Sequence, residues 1–276
     1  MFTVFCFFAP VSFSQPISQP ISQPLEGQSV GSVPAEAYSG IPPVELVSSA
    51  LADMERNDIE SALTKINQAY SQAATMEDVT PLRDVLNAMA NVFYESGKYA
   101  QAKRFYEQAL GLETVDINAS AAILFNLAHV SAAMGDFGLA SKELSASLVL
   151  SEQTGDQEGQ AYTLKALGAN ALAVSQFVQA KEFLTRSLNL FENLDEFVQI
   201  AHVHRHLGDA FTGEENFTAA IQLYLQALPV FIENFVASGQ MRTYRGLSAA
   251  YEALGDSTNA LLAFKAYNAL PTAMMN

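Results

Sequence analysis

One alanine recurs six times along the chain at a nearly constant interval, each time just after a turn-forming stretch. The six residues are Ala62, Ala102, Ala140, Ala180, Ala220 and Ala260, which are separated by 40, 38, 40, 40 and 40 positions. A fixed period of roughly 20 to 50 residues is the signature of structural repeats that stack on one another. The sequence therefore predicts an array of repeats over about residues 44 to 270.

The pattern on both sides of each turn predicts a pair of helices. Apolar and small residues recur there with the spacing of one helix face. Upstream examples are Leu86, Met89, Ala90 and Phe93, and downstream examples are Ala102, Tyr106, Ala109 and Leu110. Small residues at the expected helix crossing would let the two backbones approach closely. These residues are Ala90, Ala128, Gly168, Gly208 and Ser248.

Two of the repeats match most positions of a family pattern: a large residue, Leu-Gly, an aromatic residue, the turn, Ala, an aromatic residue and Ala. The first set is His204, Leu207, Gly208, Phe211, Phe217, Ala220, Tyr224 and Ala227. The second is Tyr244, Leu247, Ser248, Tyr251, Gly255, Ala260, Phe264 and Tyr267. The chain resembles the tetratricopeptide repeat (TPR) family, most specifically in its last five repeats. This resemblance implies an all-α fold, an α-solenoid (right-handed superhelix) of about six TPR-like helix pairs.

The resemblance divides the repeat domain, residues 44–270, into repeats at about 43–80, 81–119, 120–160, 161–200, 201–240 and 241–270. Two features depart from the family. The period is 40 instead of roughly 34. This longer repeat resembles the arrays with longer helices in kinesin light chains, cell-polarity adaptors and bacterial peptide-sensing regulators. The closing proline of the family is missing, and Pro229 falls inside a predicted helix, where we expect a kink or an early end.

The first 43 residues have a different composition and hold seven of the ten prolines. Residues 1–14 contain the apolar run FTVFCFFAPVSF, which is too short to span a membrane but has the length of a signal-peptide core. No basic residue precedes that run. Residues 15–43 continue with SQPI and SQPL repeats and a Gly, Ser and Pro-rich tract, typical of a semi-rigid linker. We expect export to the periplasm or outside the cell if residues 1–14 are a signal peptide, and a cytoplasmic protein otherwise.

Charge and motif content exclude several function classes. The chain has 29 acidic against 14 basic residues, a formal charge of -15, which disfavours duplex nucleic acid and anionic membrane surfaces as partners. It has no GxSxG, HExxH or phosphate-binding glycine loop, so we predict no enzyme activity and no cofactor. His202 and His206 lie one helical turn apart, but no further ligands complete a tetrahedral set, so we predict no metal.

In the family, a second stripe on each first helix faces the concave groove. Lys165, Arg205 and Arg245 occupy the same position in three consecutive repeats and predict a ladder of cations, joined by Arg242. Stacked helices lie roughly 10 Å apart, about three extended residues, so the ladder would suit an extended acidic peptide. The alternative is a solvated helix face whose bases offset neighbouring acids.

The remaining candidate groove residues have other roles in this interpretation. Asn side chains would hold peptide backbone amides, and aromatic side chains would contact apolar groups of the ligand. The candidates are Asn87, Asn91, Tyr94, Phe125, His129, Tyr162 and His202. A chaperone C-terminus is disfavoured as the ligand, because Ala169, Asp209 and Ala249 stand where the second Asn of the carboxylate clamp would be.

The resemblance implies that the protein binds a protein or peptide partner in its groove. An alternative is a structural or assembly factor that acts through its last helix or its convex face, including homodimerisation. Leu261, Leu262, Phe264 and Tyr267 would form that exposed edge. A third alternative is a sensory module whose effector is another chain.

Overall fold

A computed structural model describes residues 40–56, 58–112 and 116–270 of the chain. These residues form twelve α-helices and no strand. The helices are α1 (Pro43–Glu55), α2 (Ile59–Ala73), α3 (Thr80–Glu95), α4 (Tyr99–Leu110), α5 (Ile117–Ala133), α6 (Phe137–Thr154), α7 (Gln157–Ala173), α8 (Phe177–Asn193), α9 (Phe197–Gly213), α10 (Phe217–Glu233), α11 (Ala237–Ala253) and α12 (Ser257–Ala269). The predicted signal segment 1–14 and linker residues 15–39 lie outside the described residues.

Consecutive helices pack as six pairs, from α1 with α2 to α11 with α12. The predicted all-α class of TPR-like helix pairs is confirmed. The chain divides into two compact units, the first ending at Thr154 and the second beginning at Gly155. The first unit holds α1 to α6 and the second holds α7 to α12. No described helix is both long and apolar enough to cross a membrane.

The recurring alanine lies at the contact within each helix pair. The first five copies have no exposed surface, and Ala260 is half-buried, since no helix follows α12 in the described part of the chain. Close approach of the helices also requires the glycines at the crossing. A Cβ atom added to Gly168 would lie 2.5 Å from Cγ of Leu184, and one added to Gly208 would lie 2.6 Å from Cε1 of Tyr224. Any larger residue would push the paired helices apart.

Eight of the described turns each place one residue in the left-handed region of backbone space. These residues are Gly97, Gly135, Ser175, Glu215 and Gly255 within repeats, and Gly155, Asp195 and Phe235 between them. At Phe235 the next amide closes the helix end, because the Val236 N–H donates to the Phe231 carbonyl at 2.9 Å. Phe235 itself has φ 55 and is 89% exposed, so its ring gains no packing for an unfavourable backbone conformation.

Replacing Phe235 with glycine is expected to stabilise the protein by about 1 kcal/mol, because an L-residue in this conformation costs about 1–2 kcal/mol. For a chain of this length the melting temperature should rise by about 2–4 °C. Thermal unfolding followed by circular dichroism measures the change. Phe235→Ala is the control, since it removes the exposed ring and keeps the backbone cost. An equal gain in both variants would show that the ring, and not φ, is responsible.

Pro229 does not end its helix. We expected a kink or an early stop there, but α10 continues for four residues beyond Pro229 to Glu233. Proline removes one backbone hydrogen bond from the helix. Ala227 and Phe231, on either side of it, have no exposed surface. Burial of this face offsets the missing hydrogen bond. The expectation of an early stop at Pro229 was therefore wrong, because α10 continues past it.

Candidate functional site

Four cations lie on the first helices of the repeats in the second unit, and we call them the cation cluster: Lys165 on α7, Arg205 on α9, and Arg242 and Arg245 on α11. Helix α9 contacts both α7 and α11. Burial lowers the pKa of Arg205, and the charges of Arg242 and Arg245 lower it further. The same kind of repulsion from Arg205 acts on Lys165. The structure therefore brings these four predicted site residues near one another.

Lys165 is fixed by three neighbours. Its Nζ donates a hydrogen bond to Oε1 of Gln199 at 2.5 Å. The same nitrogen lies 4.6 Å from the ring centroid of Tyr162 and 5.5 Å from that of Phe191, both within the range of a cation–π contact. Burial, followed by repulsion from Arg205, lowers the pKa of Lys165 to about 8. The ammonium is therefore positioned over two aromatic faces, and no carboxylate of the described part of the chain contacts it.

Arg205 is buried, with 5% of its surface exposed. Its Nη1 donates to Oδ2 of Asp209 at 2.6 Å, and its Nη2 lies 2.7 Å from Nε2 of His206. Its Nε–H has no hydrogen-bond partner among the described residues. This corrects the predicted ladder of equivalent cations, because Arg205 is committed to an internal carboxylate and does not present its charge as an exposed residue would.

A polar network holds Asp209 in place beside Arg205. The hydroxyl of Tyr224 donates to Oδ1 of Asp209 at 2.8 Å and lies 3.2 Å from Oγ1 of Thr212. The Tyr224 ring fits between two glycines, since a Cβ added to Gly246 would lie 2.5 Å from its Cζ. Burial raises the pKa of Asp209, and Arg205 opposes that shift. The network therefore fixes one anion against one cation inside the cluster.

Two histidines on α9 face the cluster and are neutral at pH 7. The His202 ring centroid lies 4.8 Å from that of Phe231. Burial lowers the pKa of His202 to about 4, and the charges of Lys165 and Arg205 add to this shift. Burial and the same cations lower the pKa of His206 well below its usual range. Within the described residues, no three His, Cys, Asp or Glu side chains are placed to hold one metal ion.

Arg242 and Arg245 form the accessible part of the cluster. Both side chains are exposed, and they are three residues apart on α11, which places them on the same face. Over the described ranges neither has an ion pair or a side-chain hydrogen bond. These two guanidinium groups are therefore available to an external anion.

The two asparagine candidates of the first unit differ in burial and in hydrogen bonding. Oδ1 of Asn91 accepts a hydrogen bond from the hydroxyl of Tyr106, so this side chain serves the packing of α3 on α4. Asn87 is 6% exposed, and its Oδ1 has no hydrogen-bond partner among the described residues. Neither residue is placed as an exposed amide clamp.

The aromatic candidates of the first unit make local ring contacts. Tyr94 is half-buried, with its ring centroid 5.6 Å from that of Tyr99. The rings of Phe125 and His129 meet edge to face at 4.6 Å on α5. In the second unit, Tyr162 meets Phe191 edge to face at 5.1 Å in addition to its contact with Lys165. Of these aromatic candidates, Tyr162 is the one that the structure places against the cation cluster.

Sequence reasoning missed the tyrosine that orders the site, although a signal was present. Tyr106 and Tyr224 stand four residues after the recurring alanine, and each bonds to a polar residue 15 positions earlier, Asn91 or Asp209. A repeat with Leu184 at the tyrosine position has Ala169 at the earlier one. The two repeats with this tyrosine both have Asn or Asp at the earlier position, which is the signal for a direct contact, whereas Leu144 is paired with His129.

Comparison with known proteins assigns the chain to the helical-repeat proteins of the TPR class. The model of the family described as 26S proteasome subunit RPN7 matches residues 48–207, more than half of the chain. The chain belongs to this family, which is a TPR-like helical repeat family. None of the curated proteins compared with the chain matches it.

Solved structures share the fold at low sequence identity. BtubC (BKLC) from P. vanneervenii is 20% identical, with a TM-score of 0.64 over 85% of this chain and 92% of that one. A variant of a putative kinesin light chain with TPR-like repeats from Podosopora anserina is 18% identical, with a TM-score of 0.58 over 72% and 99%. A tetratricopeptide repeat protein from Parabacteroides merdae is 16% identical, with a TM-score of 0.61 over 84% and 82%. At these identities the likeness shows the fold alone.

Proposed function

We propose that the protein is a non-enzymatic scaffold that binds an extended acidic segment of a partner protein at the cation cluster. The observation that carries this proposal is the pair Arg242 and Arg245, two exposed guanidinium groups that no described side chain neutralises. Membership of a family named for a proteasome subunit supports a protein as the partner. As a separate proposal, residues 1–14 are a signal peptide that directs export of the chain.

The charge distribution favours an anionic ligand at this place. The chain carries -15 overall, yet four of its 14 cations gather on three neighbouring helices. Asp209 neutralises Arg205 by direct contact, which leaves Lys165, Arg242 and Arg245 without a carboxylate partner among the residues that the structure describes. Such a concentration of like charge costs free energy in the unbound protein, and an arriving anion relieves it. Asp209 and Tyr224 hold Arg205 in place, so little ordering of that part is needed on binding.

Reversing the charge of the two exposed arginines should abolish most of the binding. A suitable probe is a labelled peptide of four Glu-Pro-Ala repeats, whose extended form places one carboxylate about every 9 Å, close to the spacing of stacked helices. We expect the Arg242→Glu, Arg245→Glu variant to bind this probe at least about tenfold more weakly than the parent protein, because repulsion replaces two attractions. Fluorescence anisotropy measures the dissociation constants.

The matched control is Arg104→Glu with Lys265→Glu. These two exposed cations lie on second helices, α4 and α12, and their reversal changes the net charge by the same amount. At about 0.15 M salt, which screens long-range attraction by the net charge, the control variant should bind the probe within about twofold of the parent protein. An equal loss in both variants would mean that only net charge matters, and the proposal would then fail.

The surface of α12 favours a second candidate function, assembly through the last helix. Phe264 is 52% exposed, whereas the equivalent Leu184 and Tyr224 in earlier repeats are at most 1% exposed. Leu262 is 59% exposed at a position that is polar in those repeats. Under this function, partner binding or self-association would fail in a Leu262→Ser, Phe264→Ser variant and would survive reversal of Arg242 and Arg245.

A further inference from the structure

We propose that Arg242 and Arg245 bind a phosphoryl group on the peptide ligand, so that the site prefers a phosphorylated serine to an acidic side chain. This inference rests on the proposed function, because it concerns the same surface. It adds the chemical class of the group that the surface recognises and a means of regulation, since phosphorylation of the partner would switch binding on.

The geometry of the two arginines suits a group with three acceptor oxygens. Residues three apart on a helix have Cβ atoms about 5–6 Å from each other, so Arg242 and Arg245 can reach one ligand group together. Each guanidinium is a planar fork of N–H donors that binds phosphate through two parallel hydrogen bonds. A carboxylate has two oxygens, and one such fork engages both of them. A phosphoryl group has three, and it can be shared between two forks.

The charge that remains after internal pairing also favours a dianion. Four cations less the one neutralised by Asp209 leave three positive charges, on Lys165, Arg242 and Arg245. Other groups that act on the cluster do not remove this excess. Glu196 attracts Lys165 without an ion pair between the two, and His202 and His206 are neutral at pH 7. A carboxylate supplies one negative charge, whereas a phosphorylated serine supplies about 1.5 to 2 at this pH.

The net charge of the chain indicates where that phosphate would come from. A polyanion such as a nucleic acid strand would place many phosphates against a protein of charge -15, and most of them would meet acidic surface. A peptide with one phosphoryl group brings its charge to the cluster alone. The ligand that fits is therefore a phosphorylated peptide segment.

Three labelled peptides of one sequence test this inference. Each is the Glu-Pro-Ala probe with its second glutamate position occupied by serine, glutamate or phosphoserine. By anisotropy at pH 7.5 we expect the phosphoserine peptide to bind at least tenfold more tightly than the glutamate peptide, and the serine peptide to bind most weakly. In an Arg242→Lys, Arg245→Lys variant the charge is kept and the forks are lost. The preference for phosphoserine should then fall to threefold or less, with the glutamate peptide bound within twofold of its original affinity.

Three of the four histidines of the chain report where the peptide binds. On addition of the phosphoserine peptide, the imidazole NMR signals of His202 and His206 should shift, and that of His129 in the first unit should not. Equal affinity for the phosphoserine and glutamate peptides would overturn the phosphate inference and leave the proposed function intact. Binding of none of the three peptides would overturn both. Tight phosphoserine binding with unmoved His202 and His206 signals, or full competition by an equimolar short DNA duplex, would also overturn the inference.

Discussion

Replacing Arg205 with alanine is expected to lower the free energy of unfolding of the second unit by about 2–4 kcal/mol. Removing one partner of a buried ion pair leaves the other charge uncompensated, at a cost of about 3–5 kcal/mol when both are fully buried. The Asp209 side chain is 36% exposed, so hydration of its carboxylate reduces that cost. Urea unfolding followed by far-UV circular dichroism measures the change. Arg242→Ala is the control, and as an exposed residue it should stay within about 0.5 kcal/mol of the parent.

A double-mutant cycle separates this structural role from ligand binding. Asp209→Ala alone orphans Arg205, whereas the Arg205→Ala, Asp209→Ala variant leaves neither charge buried. The double variant should therefore be more stable than the sum of the two single changes implies, by a coupling of about 1–3 kcal/mol. If Arg205→Ala instead weakens the acidic probe without any loss of stability, Arg205 acts on the ligand as the sequence predicted, and its role in the ion pair is minor.

The fold could be predicted from sequence because each repeat carries the same local contacts. Ala220 and Tyr224 follow the turn at fixed distances, and their counterparts elsewhere, such as Ala180 and Leu184, are buried in the same way. Packing between neighbouring helices depends on residue size at these few positions, and size is visible in a single sequence. The period and the pairing of helices therefore follow directly from the pattern.

The different states of the three aligned cations could not be predicted from their shared position. What each cation does depends on the two positions that adjoin it in space, one four residues later on its own helix and one on the following helix. Beside Arg205 these are Asp209 and Tyr224, which bond to each other, so the guanidinium finds an acceptor and is buried. The equivalent positions for Arg245 hold Ala249 and Phe264, whose side chains offer no acceptor, and Arg245 is exposed.

Lys165 shows the same dependence on neighbours outside its own stripe. It has Ala169 and Leu184 at the two adjoining positions, and neither can accept a hydrogen bond. Its ammonium instead bonds to Gln199 on α9 and lies over the rings of Tyr162 and Phe191. The bond to Gln199 joins residues 34 positions apart in sequence and follows no family motif. A pattern of aligned charges thus predicts that the cations lie near one another without determining which of them are exposed.

Acidification is expected to destabilise the second unit between pH 6.5 and about 4. Burial and the cation cluster lower the pKa of His202 from 6.5 to about 4 in the folded state. Above pH 6.5 the ring is neutral in both states, so stability does not depend on it. Below pH 6.5 His202 binds a proton in the unfolded chain but not in the folded chain, so the free energy of unfolding falls until about pH 4. The gap of about 2.5 pKa units, at 1.36 kcal/mol each, amounts to about 3 kcal/mol.

Neighbouring groups set the range in which this loss can be measured. His206 shifts in the same direction and adds to the loss. Asp209 acts in the opposite sense, because its raised pKa makes the folded state the better proton acceptor as the pH approaches 4. Urea midpoints at pH 7, 6 and 5 therefore isolate the histidines. His202→Gln should flatten this dependence by about 2 kcal/mol between pH 7 and 5, and His129→Gln should not. A flat profile in the parent protein, or equal effects of the two substitutions, would mean that the cluster does not hold His202 neutral.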